Sequence, residues 1–160
     1  MLIFAVRLIL EENGKILCLR QTKKNGGRYS LIGGNVEEHE FAREALAREA
    51  LEEAGIHVDP ADLSLVHVLH RHKLKKDERL LVLYFKAARF HGEPESQERK
   101  KFKDVAWLPL NNLPPDVSKP TLHVLNGIRR GEIYSEFPAQ GKVLAFWEQF
   151  GNKWAGFSDF

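Results

Sequence analysis

Residues 34–56 read Gly34-Asn35-Val36-Glu37-Glu38-His39-Glu40-Phe41-Ala42-Arg43-Glu44-Ala45-Leu46-Ala47-Arg48-Glu49-Ala50-Leu51-Glu52-Glu53-Ala54-Gly55-Ile56, and this stretch decides the fold. The run of good helix formers predicts a helix over residues 38–54, with Gly55 as its C-terminal stop. Glu49, Glu52 and Glu53 stand at i, i+3 and i+4, so at roughly 100° per residue they share one helical face. Ala47, Ala50, Leu51 and Ala54 fall on the opposite side and are expected to pack on a sheet. Like charges at this spacing repel by about a few tenths of a kcal/mol per pair. Hard divalent ions such as Mg2+ seek carboxylate oxygens and would relieve that repulsion. Spacing alone equally fits a solvated acidic face balanced by Arg43 and Arg48.

Working outward, residues 2–10 and 15–21 read as two strands joined by Glu11-Glu12-Asn13-Gly14, which is hairpin chemistry. A polar loop follows over 22–27, then a short apolar stretch over 29–32 and the Gly33-Gly34 pair. Beyond the helix, residues 63–69 and 80–85 read as strands, separated by a charged loop that opens on the basic run 70–76. A further strand is expected over 105–108, a Pro-rich loop over 111–120, and a helix from Pro120 to just before Gly131. Residues 141–160 form an aromatic tail with Phe146, Trp147, Phe150, Trp154, Phe157 and Phe160; residues 141–150 are expected to make a third helix. Strands mixed with two or three helices give an α/β protein, an α/β/α sandwich around a central mixed sheet. The whole chain, 1–160, is expected to be a single domain, with the tail closing its core or forming a homodimer face.

Composition bounds the function. The 160 residues are enough for a real core without disulfides, and 43% hydrophobic against 29% charged residues is ordinary for a globular chain. A net charge of +2 gives no case for general nucleic-acid binding. Cys18 is the one cysteine and lies in an apolar run, so it reads as a small buried hydrophobe and no intrachain disulfide forms. No apolar run is long enough for a membrane span. The N-terminal MLIFAVRLIL lacks a basic leader and a cleavage site, and reads as a strand of a cytoplasmic protein. Neither a phosphate-cradling G-x-x-x-x-G-K-[ST] nor a G-x-S-x-G nucleophile elbow occurs.

The stretch quoted above resembles the box of the Nudix hydrolase family, G-x5-E-x7-R-E-U-x-E-E-x-G-U, where U is a bulky apolar residue. Gly34, Glu40, Arg48, Glu49, Ala50, Glu52, Glu53, Gly55 and Ile56 occupy its positions, and every fixed polar and glycine position matches. Four residues depart from the commoner pattern: Ala50 is small for U, His39 replaces a glycine, Ile32 a proline and Tyr29 a tryptophan. None of these removes a metal ligand. The resemblance implies that Glu49, Glu52 and Glu53 hold Mg2+ (or Mn2+), with the Gly34 carbonyl as a further ligand. It implies that Glu40 and Arg48 pair to orient the helix, and that Gly33 and Gly34 allow a close backbone turn.

Family members often add a glutamate from a loop beyond the box. In residues 92–107 Glu98 precedes a strand carrying Trp107, a placement similar to that of the mutator-type nucleoside triphosphate pyrophosphohydrolases; Glu95 is the runner-up. Glu53, Glu52 and Glu98 are thus the expected catalytic carboxylates, one of them activating water. Arg20 at a strand end is a candidate for a phosphate, Asp116 for a purine edge, and the basic run 70–76 for steering a polyphosphate. The reaction implied is hydrolysis of a pyrophosphate bond in a nucleoside diphosphate linked to a group X. A nucleoside triphosphate, an oxidised purine among the candidates, would give monophosphate and pyrophosphate. ADP-ribose or a dinucleoside polyphosphate is the alternative, although residues 63–72 lack the proline or tyrosine typical of those subfamilies. A non-catalytic nucleotide-binding module is the rival class, but such modules usually lose box glutamates, and none is lost here.

Overall fold

In the computed structural model, which describes residues 1–138, strand β1 (Leu2–Ile9) has apolar residues on both faces because both faces are covered. Val6 and Leu8 enter one core, Ala5 and Ile9 the other. β1 runs parallel to β6 (Glu78–Ala87), β6 is antiparallel to β5 (Leu63–Lys73), and β5 is parallel to β8 (Tyr134–Phe137). This mixed sheet has the order β1-β6-β5-β8. A second, antiparallel sheet joins β2 (Glu11–Glu12), β3 (Lys15–Gln21), β4 (Tyr29–Ser30) and β7 (Phe102–Pro109), with β3 at its centre.

Helix α1 (Ala42–Ala54) contributes Ala45, Leu46, Ala50 and Ala54 to the core that also holds Val6, Leu8, Leu17 and Leu19. Helix α2 (Lys119–Arg129) brings Val124 and Leu125 to the other core, with Ala5, Ile9, Ile16 and Cys18. One helix therefore serves each core, the α/β/α arrangement expected. Among the described residues no helix is long and apolar enough to cross a membrane. The helix expected over 141–150 and the aromatic tail lie outside the described residues.

The edge of β1 away from β6 is taken by the glycine segment. Val6 N–H donates to the Gly34 carbonyl and Leu8 N–H to that of Ile32, both at 2.9 Å, and Val36 N–H returns a bond to Phe4 at 3.0 Å. Ile32, in place of the commoner proline, is buried in the α1-side core. Asn13 (φ 51°) and Gly14 (φ 73°) both adopt the left-handed turn between paired Glu12 and Lys15, so the hairpin pairs into residues read as turn.

Three expectations need correction, and one strand is new. α1 starts at Ala42 rather than 38, because carboxylates compete for the preceding amides: Glu40 accepts from Glu37 N–H at 2.9 Å and Glu44 from Phe41 N–H at 2.7 Å. Leu51 is 45% exposed, whereas Glu53 is 4% exposed. The buried stripe is rotated toward the acidic face. The basic run 70–76 is only partly a loop: His70 to Lys73 continue the β5 ladder opposite Leu81 to Glu78, and only Leu74–Lys76 form a tight turn. β8 was not foreseen at all.

Gly33 has φ +144°, and a Cβ there would stand 2.1 Å from the Val6 carbonyl oxygen. Gly14 has φ +73° with open space around it. Gly33→Ala is expected to cost on the order of 3 kcal/mol, against about 1 kcal/mol for Gly14→Ala, where only the dihedral is strained. Equilibrium unfolding in urea compares them; equal losses would remove the close approach as the cause.

Candidate active site

Helix periodicity brings Glu49 and Glu53 to the inner side of the C-terminal half of α1, facing the glycine segment. Glu53 is buried, and its Oε2 accepts from Gly33 N–H at 2.9 Å. Burial, the largest influence, together with the Glu49 and Glu98 charges, pushes its carboxyl up to about 8, against the opposing pull of the Gly33 amide and Arg7. Glu49 is pushed upward too, chiefly by burial, with Arg48 opposing. A Cβ on Gly34 would lie 2.1 Å from Glu49 Oε1. Glycine is thus required here by the carboxylate beside it.

Arg48 spans the acidic face. Its Nε and one terminal nitrogen reach the two oxygens of Glu40 at 3.0 and 2.7 Å. The other terminal nitrogen contacts Glu49 and Glu52 at 3.1 Å each. The Glu40 hydrogen bond leads the causes holding the Arg48 guanidinium in its charged form. Glu52 is the most solvent-facing of the three box glutamates, its side chain 51% exposed.

The segment before β7 docks on the end of α1. Glu95 N–H donates to the Ala54 carbonyl and Gln97 N–H to that of Glu53, both at 3.0 Å. These bonds satisfy terminal helix carbonyls and bring Glu98 within electrostatic reach of Glu53. Lys101 holds the Glu98 carboxylate at 3.0 and 3.2 Å. Glu95 points away and pairs with Arg99 at 2.7 Å on the surface.

Arg20 and Asp116, separate candidates in sequence, form an ion pair. The Arg20 guanidinium lies 4.4 Å from the centre of the Tyr29 ring, which gives this replacement for the commoner tryptophan a stacking role. The three residues line a cleft of about 400 Å3 with Lys103, Asp104, Ala106 and Pro114.

Among the described residues no three His, Cys, Asp or Glu side chains are grouped so as to hold a metal ion; Arg48 and the Gly33 N–H engage the box carboxylates. The donor set nevertheless fits a hard divalent ion. Glu53 and Glu49 are oxygen donors whose charge is disfavoured by burial and by mutual repulsion, and a cation removes both penalties.

The NUDIX domain model matches residues 2–126, a span that includes both sheets' central strands and all of this site. The chain belongs to the NUDIX family. It is 30% identical over 118 residues to a mouse (Mus musculus) protein named oxidized purine nucleoside triphosphate hydrolase, covering 72% of this chain and 74% of that one. A MutT NUDIX hydrolase from Burkholderia pseudomallei superposes with TM-score 0.73 at 24% identity, covering 79% of this chain and 97% of that one. A MutT protein from Methanosarcina mazei Go1 gives TM-score 0.69 at 20% identity, covering 81% and 94%. The protein is a Nudix pyrophosphohydrolase.

Sequence reasoning missed Lys101 beside Glu98, and Arg7, whose charge reaches Glu49 and Glu53. A lone charged residue in an otherwise apolar strand was the available signal for Arg7.

A buried acid whose folded pKa lies near 8 rather than at its ordinary 4.5 stabilises the fold fully below about 4.5. That contribution is lost as pH rises through about 8. In metal-free buffer the melting temperature of the wild type should therefore fall relative to Glu53→Gln between pH 5 and 8. Parallel melting curves across that range would show that Glu53 ionises normally.

Proposed function

We propose that this Nudix hydrolase converts a nucleoside triphosphate, oxidised purine deoxynucleotides included, to the monophosphate and pyrophosphate with Mg2+ (or Mn2+). The observation that carries the chemistry is a buried Glu53 flanked by Glu49 and Glu98, carboxyl oxygens gathered where water is scarce. The substrate reading draws on the mouse relative's name and on the cleft beside Tyr29 and Asp116.

Glu49, Glu52 and Glu53, with the Gly34 carbonyl, would hold the divalent ion, which when bound neutralises phosphate oxygens and the leaving group. In this reading Glu98 orients the attacking water and takes its proton, while Lys101 fixes the carboxylate's direction. Water attacks one phosphorus, a P–O–P bridge breaks, and the bridging oxygen leaves on the departing phosphate. Glu40 and Arg48 orient the helix face that presents Glu49 and Glu52. Arg20 and Asp116 act as a unit: the arginine stacks on Tyr29 and steadies the carboxylate, whose remaining acceptor capacity faces a purine edge. Cys18 takes no part, since burial pushes its thiol up to about 12. An inert thiol is compatible with the reducing cytoplasm we propose as its compartment. A non-catalytic binding module is disfavoured because the box glutamates are all present.

Three measurements test this. Chelation should abolish turnover and Mg2+ restore it, while Glu53→Gln should lower kcat about a thousandfold in a folded protein. Glu98→Gln should lower kcat about a hundredfold, whereas Glu95→Gln should be silent; the reverse pattern would transfer the role to Glu95. The ratios of kcat/KM for triphosphates, oxidised triphosphates, ADP-ribose and dinucleoside polyphosphates decide the substrate. A preference for either of the last two would overturn the triphosphate reading.

A further inference from the structure

The loop between β3 and β4 is bound by backbone to the turn before β7. Thr22 N–H donates to the Lys101 carbonyl at 2.9 Å, and Gln21 N–H to that of Arg28 at 2.9 Å, which closes the loop at its neck. The Asn25 side-chain amide reaches the carbonyls of Lys100 and Lys101 at 3.5 Å each. Residues 22–28 and 99–103 thereby meet. The first segment brings Lys23, Lys24 and Arg28, the second Arg99, Lys100, Lys101 and Lys103; all seven are exposed. Neither segment holds any of the chain's 22 Asp and Glu, so acids outnumber bases over the remaining residues. A net charge of +2 thus conceals a surface divided by sign.

Two of these cations are engaged, Arg99 by Glu95 and Lys101 by Glu98. Among the described residues Lys23, Lys24, Arg28, Lys100 and Lys103 form no ion pair. The patch is continuous with the site at three points. Lys101 holds Glu98 and lies within electrostatic reach of Glu53 and Glu49. The β3–β7 ladder pairs Arg20 with Asp104 and Gln21 with Phe102, which leaves Lys103 as the extra residue of a bulge. Bulges re-aim side chains, and Lys103 lines the cleft that holds Arg20, Tyr29 and Asp116. The Arg28 charge reaches Asp116 in the same cleft. The basic run 70–76, the candidate for steering a polyphosphate, is by contrast partly offset: Lys73 pairs with Glu78 at 3.3 Å, and His72 meets Asp77 at 3.1 Å.

Unpaired cations gathered beside a cleft raise the local concentration of anions and speed their association, by about 10- to 1000-fold. Lysine is a point charge on a flexible stem, suited to a mobile chain of phosphates rather than to one fixed oxyanion. We propose that residues 22–28 and 99–103 form a capture surface for the polyphosphate chain of the substrate, drawing it to the adjoining cleft and carboxylates. The steering role passes from the run 70–76 to this patch on the other sheet. This inference rests on the triphosphate reading for the identity of the polyanion, but not for the existence of the surface.

Charge reversal at two places separates the patch from net charge. Lys23→Glu with Lys24→Glu should lower kcat/KM for a nucleoside triphosphate about tenfold at about 0.1 M salt, with kcat within about twofold of the wild type. Lys75→Glu with Lys76→Glu changes the net charge equally and should lower kcat/KM less than about twofold. Salt at about 1 M should erase the difference between the two pairs. Calorimetric titration of the metal-free full-length protein with inorganic tripolyphosphate should show binding weakened about tenfold in the first pair and little changed in the second. Melting temperatures check folding; should the first pair fail to fold, Lys100→Glu on the other segment carries the test, with a severalfold loss. Equal losses at the two places, a loss confined to kcat, or no tripolyphosphate binding by the wild type overturns the capture surface. So does tighter binding of a single-stranded oligonucleotide than of tripolyphosphate, which would assign the patch to nucleic acid. If the first pair weakens tripolyphosphate binding while the wild type prefers ADP-ribose, the surface stands and the triphosphate reading falls.

Discussion

The Glu53 carboxylate lies inside the protein with one backbone donor, the Gly33 amide, and the layout of the site follows from that burial. To supply the donor, the glycine segment must run against β1 closely enough that a side chain at Gly33 would strike the Val6 carbonyl. Holding it there requires the hydrogen bonds from Val6 and Leu8. The same approach brings Gly34 against Glu49. One desolvated carboxylate therefore ties together the glycine pair, the edge of β1 and the buried stripe of α1.

Around this centre the parts come from different regions of the chain. α1 contributes the box glutamates, the segment before β7 contributes Glu98 through bonds to the helix end, and the mixed sheet contributes Arg7. The Arg20–Asp116 pair and Tyr29 stand in a separate cleft next to β7.

What was legible in the sequence was local. The i, i+3, i+4 spacing found Glu49 and Glu53, which turn to the inner side of α1, but not that Glu52 stays exposed; Gly55 ended the helix as expected, with φ 66°. Asn13-Gly14 carried its turn in two residues. Periodicity could not reveal that the buried stripe takes in Glu53 and leaves Leu51 outside, because burial of a carboxylate depends on a donor twenty residues away. β8 has only four residues and is aligned by β5, far away in the chain. Arg71 looked like one member of a basic run; only the β5 register separates its half-buried side chain from exposed Lys75 and Lys76. Arg20 and Asp116 were found as types, but their pairing needed the fold.

The direction in which α1 runs has its own electrical consequence. Its box glutamates cluster in the C-terminal half, and no basic residue occupies its last turn. Peptide dipoles already place partial negative charge at that end, so the helix adds its field to the side chains instead of offsetting it. A naked polyanion approaching this end is repelled by backbone and carboxylates alike, while a cation is drawn by both. The polarity of the helix thus works with its carboxylates: this end of the site favours positive charge over a bare anion.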